Sequence, residues 1–351
     1  MDTNINISNI NTYFFPNKKE PKKLLYRNKI VNNSNISVNE ANICHKIKKL
    51  AFFSNYFSVL EDYEQLNISQ LSENIIEKLK NIDQNTYYLF KYNDKNSLDF
   101  SDFIYNSTNI KKLIFDCINS FQHILQGLAI LNDNNISFFN ITPQNIVFLD
   151  SYREKPVLRN FGLSLNLNKL EHNYILNILN NLDDFTYLPI EIHILSYILK
   201  NNLITISYSF IEEFCENFVE NLNILKLFSD NYKKTYREQC VETLRKYINL
   251  PAKKIIDDIL ERNNKWDIYG ISMLYLQLFG CISRVFSLKG TFISKITIEL
   301  SKNLHPNPDK RYDIENTLYI FNKYLNEENN WKIVNNLDNN KLAQLFDELS
   351  K

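Results

Sequence analysis

Ile136-Ser137-Phe138-Phe139-Asn140-Ile141-Thr142-Pro143-Gln144-Asn145-Ile146-Val147-Phe148 is the stretch on which the reading of the fold turns. Its middle is rich in residues that favour turns and caps, and its end, Ile146-Val147-Phe148, reads as an apolar strand. Just before it, Leu113, Ile114, Cys117, Phe121, Ile124, Leu128 and Leu131 recur at helical spacing. That stripe predicts a core-facing helix from about 109 to about 132. Further upstream, short apolar runs alternate with turn residues at Tyr13-Phe14-Phe15, Lys23-Leu24-Leu25-Tyr26 and Thr86-Tyr87-Tyr88-Leu89-Phe90. These predict strands, with one helix opening at a capping box, Ser37-Val38-Asn39-Glu40, and carrying Ile43, Ile47 and Leu50 on one face. Downstream, helical stripes dominate, including Ile211, Phe214, Phe218, Leu222 and Leu225.

Composition removes several classes of function. The chain has 351 residues, enough for two modules sharing a cleft or one large domain with an insertion. Forty basic residues balance forty acidic ones, so no global field draws in nucleic acid or anionic lipid. Lys18, Lys19, Lys22, Lys23, Arg27 and Lys29, beside Phe14, Phe15 and Tyr26, are expected to form a solvated strand edge rather than a nucleic-acid strip. No apolar run is expected to span a membrane, and the first residues lack a signal-peptide pattern. The expectation is a soluble cytoplasmic protein with neither nucleic acid nor membrane as partner. Cys44, Cys117, Cys215, Cys240 and Cys281 lie far apart and read as buried free thiols. The five histidines sit singly, without ligand spacing, and no metal is assigned to them. Adjacent carboxylates such as Glu61-Asp62 and Asp257-Asp258 are expected only to charge a surface. Glycine is the most restrictive count: there are five, none before Gly127. Neither a GxxxxGK[ST] loop nor a GxGxxG turn can be written, which excludes the P-loop and the Rossmann fingerprint.

The quoted stretch resembles the catalytic loop of protein kinases, H-R-D-L-x-x-x-N followed by an apolar strand. On that resemblance Asn145 matches the metal-binding Asn, Asn140 stands where the family has its catalytic aspartate, and Phe138 and Phe139 replace His and Arg. Val157-Leu158-Arg159-Asn160-Phe161-Gly162 resembles the strand and D-F-G that follow, with Asn160 in place of the metal-binding Asp. Tyr187-Leu188-Pro189-Ile190-Glu191 resembles the segment ending in A-P-E. Trp266-Asp267-Ile268-Tyr269 resembles the start of the buried central helix, and His305 to Arg311 resembles the late arginine motif. The run Pro189-Ile190-Glu191-Ile192-His193, a helical insertion and a late N-P-x-K-R are similar to those of kinase-like proteins of large cytoplasmic DNA viruses. Covering about 35 to 325, the resemblance implies an α+β, bilobal protein kinase-like fold. Its parts are a reduced strand-rich lobe over 1–95, a helical lobe over 96–325 with an insertion at about 194–262, and a C-terminal extension over 326–351.

For the site, the resemblance implies that Glu40 pairs with the ATP-binding lysine, for which Lys29 is the nearest candidate; the competing reading makes Glu40 the capping partner of Ser37. The glycine loop over the phosphates and a V-A-I-K strand are missing, and both catalytic aspartates are Asn. An amide oxygen brings no charge to Mg²⁺ and accepts no proton. The implied role is therefore a catalytically impaired pseudokinase that scaffolds or regulates a protein partner and needs no cofactor. The first rival is a divergent, active Ser/Thr kinase with ATP and with Mg²⁺ on Asn145 and Asn160. The second is a structural protein packaged in a viral particle. The resemblance further implies a buried ion pair between Glu191 and Arg311, an internal Asp267 accepting hydrogen bonds near Phe138 and Phe139, and insertion helices packed on the large lobe.

Overall fold

A computed structural model describes residues 27–66, 87–92, 97–149, 155–286, 288, 290–327 and 337–350. The strands expected at 13–15 and 23–26, and Lys18, Lys19, Lys22 and Lys23, lie outside these residues. The chain is a mixed α+β protein whose sheets are small and whose bulk is helical.

The strand-rich part comprises β1 (Arg27–Asn32), α1 (Asn35–Ile47), β2 (Leu60–Leu66) and β3 (Tyr87–Tyr92). The strands form an antiparallel sheet in the order β1-β3-β2, with Lys29 opposite Phe90 and a register shift between Leu60 and Asp62. Helix α1 begins earlier than its sequence suggests. Ser34 is the N-cap: its side chain accepts from the Ser37 amide, and the Ser37 hydroxyl accepts from the Ser34 amide. Serine supplies both halves of the capping box, and this frees Glu40 from any capping role.

The chain continues through β4 (Ser97–Asp99), α2 (Phe100–Tyr105) and the long α3 (Ile110–Asp133). Then follow β5 (Ile136–Ser137), β6 (Ile146–Leu149), β7 (Val157–Leu158), β8 (Leu165–Asn166) and α4 (His172–Asn180). Strands β4-β6-β7 make one small sheet and β5-β8 another. Where a packed insertion was expected, four helices follow one another, α5 (Ile190–Lys200), α6 (Tyr208–Asn221), α7 (Asp230–Arg245) and α8 (Ala252–Leu260). Asn249, at positive φ, and Pro251 separate the last two. Asp258 does more than charge a surface: its carboxylate accepts from Lys246, Tyr247 and Arg262 and ties α8 to the end of α7.

The core is organised by α9 (Trp266–Phe286), with α10 (Phe292–Lys302), α11 (Ile314–Glu327) and α12 (Leu342–Leu349) completing the chain. Contrary to the sequence expectation, the helical segment 263–286 is long and apolar enough to cross a membrane by length and composition. In the fold α9 is a core helix, buried along most of its length, with Arg284 its exposed residue. The Ser120 and Tyr275 hydroxyls meet at 2.7 Å and join α3 to α9, while Phe121 packs among Tyr275, Phe279 and Phe321. Gly270 allows a close approach of backbone to the helix. A Cβ there would lie 2.9 Å from the Tyr187 carbonyl oxygen and 3.3 Å from Ile141, so only glycine lets α9 touch both segments. All five cysteines are buried and free.

Glu191, at the start of α5, and Arg311, before α11, are both buried. Arg311 donates from Nη1 to Oε1 at 2.6 Å and from Nη2 to Oε2 at 2.9 Å, a bidentate pair. Its Nε and Nη2 also donate to the carbonyls of His305 and Pro306, and its guanidinium lies over the Tyr269 ring. A buried ion pair is tolerated when its other donors are satisfied, as here. Removing one member strands the other. Glu191→Ala and Arg311→Ala should each lower unfolding free energy by about 3–5 kcal/mol, with the double variant losing far less than the sum. Urea denaturation of the three variants measures this; additive losses below about 1 kcal/mol would contradict a coupled pair.

Candidate functional site

The quoted stretch forms a loop between β5 and β6, and its shape is set from below by Asp267. That carboxylate accepts from the Phe138 amide at 2.8 Å through Oδ2 and from the Phe139 amide at 2.7 Å through Oδ1. Phe139 has φ of 60°, a backbone state that costs a bulky residue energy. The Asn140 amide closes a three-residue turn onto the Phe138 carbonyl at 2.6 Å, the strained sense of a γ-turn. Two hydrogen bonds to one buried carboxylate, together with the edge-on contact of Phe139 with Trp266, hold this turn. Burial pushes the Asp267 carboxyl up to about 6, against the two amide hydrogen bonds that favour its charged form.

Beyond the turn, Asn145 is buried and faces Asn160. The Asn145 side chain donates from Nδ2 to the Asn140 carbonyl at 2.9 Å, and its Oδ1 accepts from Asn160 Nδ2 at 2.7 Å. Asn160 itself sits at φ 63°, a left-handed position that asparagine tolerates better than most residues. The three asparagines singled out by sequence therefore form one chain of neutral hydrogen bonds, through the backbone at Asn140 and through the amides of Asn145 and Asn160.

Lys29 of β1 and Glu40 of α1 are brought together: Nζ lies 3.3 Å from Oε2, with side-chain exposures of 12% and 2%. Sequence reading missed the third member. Tyr92 of β3 donates from its hydroxyl to Glu40 Oε1 at 2.6 Å, so a buried carboxylate has one partner on each neighbouring strand. A tyrosine in a strand gives no sequence signal for this, since cross-strand aromatics ordinarily fill cores. Asn39 was also missed. Its Nδ2 donates to the carbonyls of Gly162 at 2.8 Å and Ser164 at 2.9 Å, pinning α1 to the segment after Asn160. Gly162 makes that approach possible, because a Cβ would meet Ile36 Cγ2 at 3.0 Å. Phe161 packs edge-on against Phe138 on one side and Phe57 on the other, a column of rings joining the strand-rich part to the helical one.

Two outcomes follow from these contacts. Tyr92→Phe keeps the ring and removes one hydrogen bond to a buried charge, so it should lower stability by about 1.5–3 kcal/mol in urea denaturation; a neutral effect would show Glu40 to be solvated. The raised pKa of Asp267 makes stability fall with pH. Its protonated form favours the fold, so the contribution is present below about pH 4 and is lost as pH rises through about 6. The stability difference between the natural chain and Asp267→Asn should shrink by about 2–3 kcal/mol between pH 4 and pH 7. A difference independent of pH would refute this titration.

No protein-family model matches the chain, and no curated protein matches it. Among solved structures, it is similar to a chain described as "Twitchin kinase region from C.elegans (Fn31-NL-kin-CRD-Ig26)", at TM-score 0.44 and 12% identity, over 93% of this chain and 46% of that one. The chain thus spans about half the length of that structure.

Proposed function

We propose that this chain is a protein kinase-like protein that is catalytically impaired and acts as a scaffold or regulator through a protein partner. The order of parts supports the kinase-like reading. A strand lysine paired with a helix glutamate precedes two loops that meet at Asn145 and Asn160, a buried helix aspartate holds the first loop, and a buried Glu–Arg pair follows. These are the parts, in sequence order, by which protein kinases are described.

The impaired reading rests on one observation, the 2.7 Å bond from Asn160 Nδ2 to Asn145 Oδ1. Magnesium in such a site is held by carboxylate and amide oxygens beside phosphate. Here the amide oxygen that would face a cation already accepts a hydrogen bond, both side chains are neutral, and Asn140 offers no base. Among the described residues, no group of three or more His, Cys, Asp or Glu is placed to hold a metal ion. Two neutral amides, one of whose oxygens already accepts a hydrogen bond, do not fit Mg²⁺. Lys29, held by Glu40, is a basic group that could meet a phosphate as a point charge.

The retained Lys29–Glu40 pair favours a second reading, a divergent active Ser/Thr kinase that works by positioning alone. Turnover separates the two. Purified protein with radiolabelled ATP and a generic protein substrate should give no phosphate transfer above a denatured control, and any thermal shift with ATP should be the same with and without Mg²⁺. Turnover abolished by Asn145→Ala, or stabilisation by ATP that requires Mg²⁺, would favour the active kinase.

A further inference from the structure

The helix α6 takes no part in the site described above, yet it builds one wall of a cleft of about 360 Å³ against the segment that precedes α5. Phe185, His193, Phe214 and Phe218 give the cleft aromatic walls, with Asp184 and Asn217 as polar lining groups. Phe214, Asn217, Phe218 and Asn221 are spaced i, i+3, i+4 and i+7, so one stripe of α6 faces the cavity.

The charges around it are predominantly acidic. Helix α6 carries Glu212, Glu213, Glu216 and Glu220, all exposed, and no basic residue. Asp183 and Asp184, also exposed, lie on the opposite wall's segment. Two cations accompany these carboxylates: Arg237 pairs with Glu216 at 3.1 Å, and Lys200 lies over the Phe185 ring of the cleft wall, 5.3 Å from its centroid. By helical spacing Glu213 and Glu220 lie four before and three after Asn217, along the edge of the stripe that faces the cavity. His193 adds a neutral acceptor. Its Nε2 lies 3.1 Å from the Phe185 carbonyl and 3.2 Å from that of Leu188, which assigns the proton to Nε2 and leaves Nδ1 as the lone-pair nitrogen. Burial pushes this ring down to about 4, so it adds no positive charge at neutral pH.

We infer that this cleft is a docking site for an arginine-bearing basic segment of a protein partner. Aromatic walls accept a guanidinium plane face-on or along its stem. The Asp184 carboxylate, the Asn217 amide oxygen and the His193 lone pair supply acceptors for its fork of donors, and Glu213 and Glu220 attract further basic residues along α6. An acidic or purely apolar occupant would leave these acceptors unmatched. The inference deepens the partner-binding part of the proposed function, and its failure would leave the fold and turnover experiments standing as they are.

Fluorescence anisotropy on the full chain tests it, using the labelled peptide Gly-Ser-Arg-Ala-Arg-Ser-Gly, a version with Lys for Arg and a version with Glu for Arg. The arginine peptide should bind saturably, the lysine peptide more weakly, and the glutamate peptide not at all. Asp184→Asn keeps the acceptor that caps the Thr186 amide and should weaken binding about tenfold, by loss of one charge-assisted contact. Glu213→Lys with Glu220→Lys alters only exposed positions, so it should weaken binding at least tenfold with an unchanged melting temperature. Asn217→Trp fills the cleft and should abolish binding. No saturable binding of the arginine peptide, equal binding of the glutamate peptide, or indifference to Asp184→Asn and Asn217→Trp would overturn the assignment. So would self-association of the unlabelled chain that the same variants abolish, which would make a second copy the occupant.

Discussion

The buried carboxylate of Asp267 is the constraint on which the rest of the arrangement depends. It is planted in the first turn of the core helix and accepts from two consecutive amides of a loop that would not keep its shape alone. Consecutive amides converge on one carboxylate only if the backbone between them is bent sharply, which is the state of Phe139 at positive φ. From that bend, Phe138 is aimed into the column with Phe161 and Phe57, and Asn145 is presented to Asn160. The first turn of that helix, Trp266 to Gly270, is wholly buried, so the loop is anchored in the core.

The strand-rich part is tied to this centre by polar contacts as well as by the column of rings. Asn39 reaches two carbonyls of the segment after Asn160, and Glu40, one residue on, gathers Lys29 and Tyr92 from two strands. Adjacent residues on α1 thus serve different neighbours, one the helical part and one the sheet. That division fixes the rotation of the helix. A turn of α1 about its axis would lose both sets of partners together, and each set leaves buried polar atoms behind when broken.

Much of the helical part was legible in sequence because periodicity and burial coincide there. The stripe from Leu113 to Leu131 lies inside helix Ile110–Asp133, and Glu191 was recognisable as a lone charge in an apolar run. What was not legible has physical causes. The start of α1 was misplaced because Ser34 and Ser37 both suit a cap and only the backbone decides between them. The core helix 263–286 escaped notice as an apolar run because Asp267 and Arg284 interrupt it. Tyr92 and Asn39 are long-range partners, separated from Glu40 and Gly162 by 52 and 123 residues, and no local pattern encodes such pairings. The hydrogen bond from Asn160 to Asn145 was hidden for a similar reason, because the two residues lie in separate loops fifteen positions apart.

That amide-to-amide bond changes what kind of equilibrium governs the seam between the two loops. Two carboxylates in the same places would repel, and a cation would have to arrive before the loops could meet. Two amides need no third party and carry no charge to be screened or titrated. Opening the seam merely exchanges their mutual hydrogen bond for bonds to water, so what keeps it shut is the packing of the ring column behind it. The junction therefore closes as the chain folds, through a neutral amide bond backed by packed rings.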